Sequence, residues 1–338
     1  MADEATELDP DFAFRFDGLG NGVEIPVADA IRDLPAEILA NKAGKQSSGF
    51  VWLHCQRDGE NRHKLEQSSF MDALVMETLV AEETRPRLHV QGQDNVLLNL
   101  RGVNLNPGAE PEDMVSIRMW MTTRAMLSIW VRPLHATNEL VSAIRKGRCP
   151  FTPGELVARL ALRIADKMEP VIGELVDQVD ALELMTVKGS AIPHRRELAE
   201  IRRSSIALRR FMTPQRDALM SLEIEDVTWL RERDRSRLRE ASDRVVRMNE
   251  ELEMVRERAS VMHDEIMDAR SERMNRQMVM LSVVACVFLP LSLIAGMLGM
   301  NVGGIPGSGN SWAFLIISAA MLVIAIAVTF VFRWLRII

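Results

Sequence analysis

From residue 277 to residue 332 the chain carries no Asp, Glu, Lys or Arg, whereas elsewhere charged residues recur every few positions. The window is punctuated once, by Gly299-Met300-Asn301 and the turn-rich run Val302-Gly303-Gly304-Ile305-Pro306-Gly307. Each flank is long enough to cross about 30 Å of hydrocarbon as a helix of about 20 residues. The pattern predicts a C-terminal membrane hairpin: a first span at 277–298, a loop at 299–310, a second span at 311–332 and a basic tail at 333–338.

Upstream of the hairpin the spacing becomes that of a long polar helix. From Asp226 there is no Gly or Pro until Pro290, and Leu238, Ala241, Val245, Met248, Leu252, Val255, Ala259, Met262, Ile266 and Ala269 recur in alternating steps of three and four. Such a seam predicts sustained helix–helix contact. A helix from Asp226 to Gly299 would be about 110 Å long. Before it, Thr152 can cap and Pro153 suits a first helical position. Leu156, Leu160, Ile164, Met168 and Ile172 then repeat at helical spacing, and a second helix over 197–222 should return antiparallel to the first, with Pro193 and Pro214 as interruptions. Residues 166–276 thus read as a helical stalk region.

Residues 1–165 have a different texture. Short apolar runs predict strands at 22–26, 50–54, 96–100, 114–119 and 125–131, and helices at 64–79 and 135–145. Turn chemistry falls at Gly20-Asn21-Gly22, Asp58-Gly59 and Asn106-Pro107-Gly108. The fold class is therefore a cytosolic domain of α+β or α/β type, followed by long stalk helices and two transmembrane helices.

Charge and cysteines narrow the classes. A net charge of −6, with the arginines between Arg231 and Arg239 interleaved with Glu232, Asp234 and Glu240, argues against nucleic acid as a partner. Cys55, Cys149 and Cys286 are odd in number and form no CxxC, which fits a reducing compartment. The acidic start lacks a signal-peptide pattern, so insertion must rely on the C-terminal spans. Arg273 and Arg276 precede the first span, Arg333 and Arg336 follow the second, and the loop is uncharged. The positive-inside rule then places both termini in the cytoplasm of an inner (plasma) membrane protein. Trp312 and Trp334, about 33 Å of helix apart, would mark the interfaces of the second span.

The order of parts, with Pro290 inside the first span, Gly299-Met300-Asn301 at its outer end and a short basic tail, resembles the CorA superfamily of divalent-cation transporters. Magnesium-channel members usually have Tyr before the tripeptide and Met-Pro-Glu after it. Here Leu298 precedes it, no loop Glu follows and the chain has no Tyr, which is similar to the ZntB zinc-transporter branch. The resemblance implies a homopentamer whose five first spans line one pore, with Gly299, Met300 and Asn301 as selectivity filter. A ring of Asn301 amide oxygens could hydrogen-bond the water shell of a divalent ion. The alternative, that Asn301 only caps the helix, stays open.

Counting back from the tripeptide at helical spacing gives a pore face of Gly296, Ser292, Leu289, Ala285, Leu281 with Ser282, Met278 and Asn275, polar at its ends and apolar or small between. The same small residues could merely let two helices pack. Cys286 lies beside that face and reads as a buried packing thiol rather than a ligand. On the stalk, Asp268, Asp264, Glu257, Glu253 and Glu250 could form acidic rings, with His263 adding a nitrogen ligand; an ordinary salt-bridged helix face is the competing reading. His54 and Cys55 should point to opposite faces of a strand. No Walker motif, catalytic triad or HExxH is present, so neither an enzyme nor an ATP-driven pump is indicated, and no cofactor is required.

Three functions follow: Zn²⁺ transport, the same architecture carrying Mg²⁺ (or Co²⁺ or Ni²⁺), or a membrane-anchored coiled-coil sensor or scaffold. An amide ring is a hard-oxygen site that favours zinc by ligand type no more than other divalent ions.

Overall fold

The computed structural model describes residues 11–42, 49–67, 71–82, 85–92, 94–187, 195–300 and 310–334. They form two compact units, Met1–Met262 and His263–Ile338.

The first unit begins with a sheet. Its strands are β1 (Phe12–Phe16), β2 (Gly22–Ile25), β3 (Phe50–Gln56), β4 (Arg87–Gln91), β5 (Asn95–Gly102), β6 (Val115–Met121) and β7 (Ala125–Trp130). The spatial order is β2-β1-β3-β7-β6-β5-β4 in one seven-stranded sheet. Only β3 and β7 run parallel, with Val51 opposite Ala125; every other pair is antiparallel. The class is therefore α+β, since hairpins account for most of the pairing.

Two strands, β1 and β4, and one helix, α1 (Val27–Lys42), come in addition to the elements expected from the sequence. β1 reads Phe-Ala-Phe-Arg-Phe, so alternation puts Phe12, Phe14 and Phe16 on one face. There Phe16 stacks on Phe50 at 4.6 Å and Phe12 meets Trp52 edge-on at 4.9 Å. The turn to β2 is held by Asp17, which accepts from the Leu19 and Asn21 amides at 2.7 and 3.0 Å. Gly18 and Gly20 take φ of 74° and 104° there, a region that side chains with a Cβ rarely adopt.

The opposite face carries Val51, Leu53, Cys55, Leu127 and Ile129 against α1 and the short helices α2 (Glu60–Gln67) and α3 (Ala73–Val80). A single helix was expected over 64–79. The chain instead breaks before Asp72, whose carboxylate caps α3 by accepting from the Leu74 amide at 3.0 Å. On the Phe face lie α4 (His135–Arg145) and the start of α5 (Pro153–Val187). Gly102 is packed so tightly there that a Cβ would stand 2.7 Å from Leu134.

Three long helices follow: α5, α6 (Arg195–Ile224) and α7 (Glu232–Leu298). α6 runs through Pro214 without interruption, while Pro193 lies outside the described residues. Gln215 beside that proline is buried and accepts from the Arg101 amide at 2.6 Å, where β4 no longer reaches β5. The seam of α7 from Leu238 to Ile266 is buried throughout, and Ala269 is exposed. Its flanks are tied by Arg244 to Asp166 and by Arg258 to Asp180 and Glu183 of α5, and by Arg209 of α6 to Glu253. The contact read from the heptad spacing thus exists within one chain, as a bundle of α5, α6 and α7. Each fully buried Leu or Val in it contributes about 1.5–3 kcal/mol.

α7 starts at Glu232, six residues after the expected position. Trp229 and Leu230 are buried first, with Trp229 Nε1 donating to the Asp94 carbonyl at 2.8 Å. Asp234 then caps the helix through the Arg231 amide at 3.2 Å. The same carboxylate accepts from Thr152 Oγ1 at 3.3 Å, so the N-termini of α5 and α7 share a polar knot. Gly154 makes this possible, because a Cβ there would lie 2.8 Å from the Trp229 carbonyl oxygen.

The second unit holds the C-terminal part of α7 and α8 (Ala313–Trp334). Both contain windows of mean hydropathy 2.6 and 2.9, of which only 6% and 0% is buried. A core helix of a soluble protein would be covered; apolar surface this extensive and uncovered, with its backbone satisfied within each helix, suits lipid.

Candidate functional site

The expected pore residues lie on α7 within the second unit, and helical spacing decides which face they share. Positions with least exposure are Val279, Val283, Val287, Pro290, Leu291 and Ile294, a stripe with a period near four. At 100° per residue, Met278, Leu281, Ala285, Leu289, Ser292 and Gly296 fall on the opposite side. All six are exposed, as are Asn275 and Ser282; Leu281 and Leu289 are 71% and 75% accessible. A Cβ added at Gly296 would meet no atom within 4 Å, so among the described residues of the single chain this face is bare.

At the end of that face the Gly299 amide donates to the Ala295 carbonyl at 2.9 Å, closing the last turn. Gly299 does not have positive φ. A Cβ there would make a tight contact, 3.1 Å from the Ala295 oxygen. Met300 is exposed, and Asn301 with the loop to 309 lies outside the described residues. Cys286, expected to be buried, is exposed. It lies between the Val283 stripe and the pore face, about 60° of rotation from Val283, where no described residue covers it.

The acidic stalk positions divide by environment. Glu253 is engaged by Arg209 and Arg256, which removes it from the set of available carboxylates. Glu250, Glu257, Asp264 and Asp268 are exposed and His263 is half-buried. Among the described residues no three His, Cys, Asp or Glu side chains gather closely enough to hold an ion. Arg258 pairs across to α5 rather than along its own helix.

His54 and Cys55 do point to opposite faces. Cys55 sits in the helix-covered core, where burial pushes its thiol up out of the usual range. His54 lies among the aromatics with Nδ1 2.7 Å from Ser128 Oγ, and burial lowers its pKa to about 3, so the ring is neutral. His54, Ser128 and Cys55 are all buried, so none of them faces a substrate in solvent.

A second feature went unread in the sequence. Arg148, Arg237 and, on α5, Arg159 and Arg163 converge on one cavity from three segments, with no motif linking them. Glu155, buried and not itself part of the lining, accepts from the Phe151 amide at 2.9 Å, from Arg159 at 2.7 Å and from Arg237 at 2.8 Å. Burial alone would raise its pKa; Arg237, the Phe151 amide and Arg159 together more than offset that and lower it. The only local signal was Thr152-x-x-Glu155, a capping-box spacing.

A sheet domain, a three-helix bundle whose last helix enters a charge-free span, and a bare span face ending at Gly299-Met300 are the parts against which known proteins can be compared. The profile of the family described as CorA-like Mg2+ transporter protein matches residues 47–334. The chain belongs to the CorA family. It is 40% identical over 85% of its length, and 87% of the relative's, to the divalent cation transporter CmaX of Pseudomonas aeruginosa. To the zinc transport protein ZntB of Yersinia pseudotuberculosis it is 30% identical over 96% of its length and 94% of the relative's. The solved structure of full-length CmaX superposes with a TM-score of 0.79 at 35% identity, covering 97% of this chain and 98% of that one. This CorA-family chain is thus a membrane-embedded divalent-cation transporter of the ZntB-like branch and not an enzyme.

Proposed function

We propose that the chain carries Zn²⁺ across the inner membrane through a pore lined by the first spans of five copies, with Asn301 in the filter and both termini in the cytoplasm. The observation that carries this reading is the bare face of α7, which runs from Asn275 to Gly296 with polar ends and apolar or small residues between. A monomer in lipid gains nothing from Ser282, Ser292 and Asn275 on an uncovered face, whereas an axis shared by several copies would wet them at its mouths and dry at Leu281 and Leu289. Zinc as cargo is supported by the absence of a carboxylate in the loop after Asn301 and by the zinc transport proteins among the relatives. The family description, a Mg²⁺ transporter, favours magnesium as the second reading.

Purified protein in proteoliposomes, loaded with a zinc-sensitive dye, tests both. Asn301→Ala is expected to abolish zinc flux while leaving assembly intact, and retained flux would remove Asn301 from the filter. Zinc entry that a large excess of Mg²⁺ leaves untouched supports the first reading. A protein that moves Mg²⁺ and ignores zinc supports the second.

A further inference from the structure

Within the first unit, far along the chain from the spans, a cavity of about 710 Å³ opens between α4 and the loop after it, one face of α5 and the second turn of α7. Ligand cavities of about 300–1,000 Å³ accommodate small molecules, so this one is too large for a bare ion alone. Its guanidinium groups are not all accounted for by protein carboxylates. Glu155 takes Arg159 and Arg237. The two acids on the wall are committed elsewhere, Glu139 to Lys167 and Asp166 to Arg244.

Arg148 and Arg163 remain. Neither has an ion-pair partner among the described residues; the side chain of Arg163 donates to the Arg159 carbonyl at 3.3 Å. The Arg148 carbonyl in turn accepts from Arg159 Nη1 at 2.7 Å, which holds the loop against α5. Burial and the neighbouring charges of Arg159 and Arg148 lower the pKa of Arg163, against the opposing pull of Glu139 and Asp166. At the mouth stands Phe151, a large apolar ring left 38% exposed beside Gly20.

We propose that this cavity binds a phosphate-bearing anion, with Arg148 and Arg163 as its ligands and Phe151 as a platform for whatever the phosphate is attached to. Two guanidinium forks suit the oxygens of a tetrahedral phosphate better than a monatomic anion, because each can donate two parallel hydrogen bonds. An exposed aromatic ring at the entrance suits a flat base, which any nucleotide supplies. Once seated, the anion would bridge the α4–α5 loop and α5, and relieve the repulsion between Arg148, Arg159 and Arg163. The inference does not depend on which cation the spans carry.

Isothermal titration of the full-length protein in detergent tests it, with potassium phosphate and with adenosine monophosphate, each against potassium chloride at matched ionic strength. Saturable binding of phosphate is expected, weakened about tenfold or more by Arg148→Gln or Arg163→Gln. Arg163→Lys should restore part of it, and Arg247→Gln on the exposed face of α7 should leave it unchanged. If adenosine monophosphate binds more tightly than phosphate and Phe151→Ala removes the difference, the site takes a nucleotide; equal affinities make free phosphate the occupant. No saturable phosphate binding, full affinity in a variant carrying both Arg148→Gln and Arg163→Gln, or an equal loss in Arg247→Gln overturns the proposal.

Discussion

His54 stacks on Phe12 at 4.6 Å and on Trp130 at 5.9 Å, and shares the Ser128 hydroxyl with Trp52, whose Nε1 donates to it at 2.9 Å. Its pKa is near 3 in the fold against an ordinary 6.5. The unfolded chain therefore binds the extra proton first as pH falls. The stability of the sheet is expected to be complete above about pH 6.5 and to decline continuously down to about pH 3 through this ring. Urea unfolding followed by tryptophan fluorescence would show the slope, and His54→Phe should flatten it; an unchanged slope would assign it to carboxylates instead. The opposite orientation of His54 and Cys55 was legible because strand alternation is a property of neighbours. The partners of His54 were not, because Phe12, Ser128 and Trp130 reach it only through register.

At the scale of elements, long periodic segments were the readable ones. α4 has the bounds its pattern predicts, and the seam of α7 is buried where its spacing marks it, as far as Ile266. β1 was hidden because Phe-Ala-Phe-Arg-Phe is too short to separate period two from period four, and the break between α2 and α3 because a single Asp cap decides it. The arginine cavity was hidden for a different reason, since the convergence of separate segments leaves no local trace. The bare face of α7 yields a prediction of its own. Gly296→Val adds a branched side chain where a single chain offers only open space, so insertion and folding should be unaffected. If that face meets other copies around an axis, zinc flux in proteoliposomes should fall by at least about tenfold, through misplaced neighbours or a blocked path. Undiminished flux would turn the face toward lipid.

For the whole molecule, the pore reading requires several copies, and native mass spectrometry in detergent should give five times 38.1 kDa. A stable monomer or dimer would remove the central axis. The same reading sets the topology: a thiol reagent excluded from the lumen of sealed inside-out vesicles should reach the cysteine of Asn310→Cys only after permeabilisation, while that of Arg273→Cys reacts at once. The Thr152–Asp234 contact, whose partners are 82 positions apart, also has a bearing on how such a chain is made. On a ribosome the sheet has all its strands by Trp130, but the cap of α5 stays incomplete until Asp234 and Arg237 emerge. All of them precede residue 277. The later ties of Arg244 and Arg258 to α5 and the buried seam as far as Ile266 also precede that residue, so the first unit can close its long-range contacts before the first apolar span leaves the ribosome, and the segment most prone to aggregate is delivered to the membrane behind a finished domain.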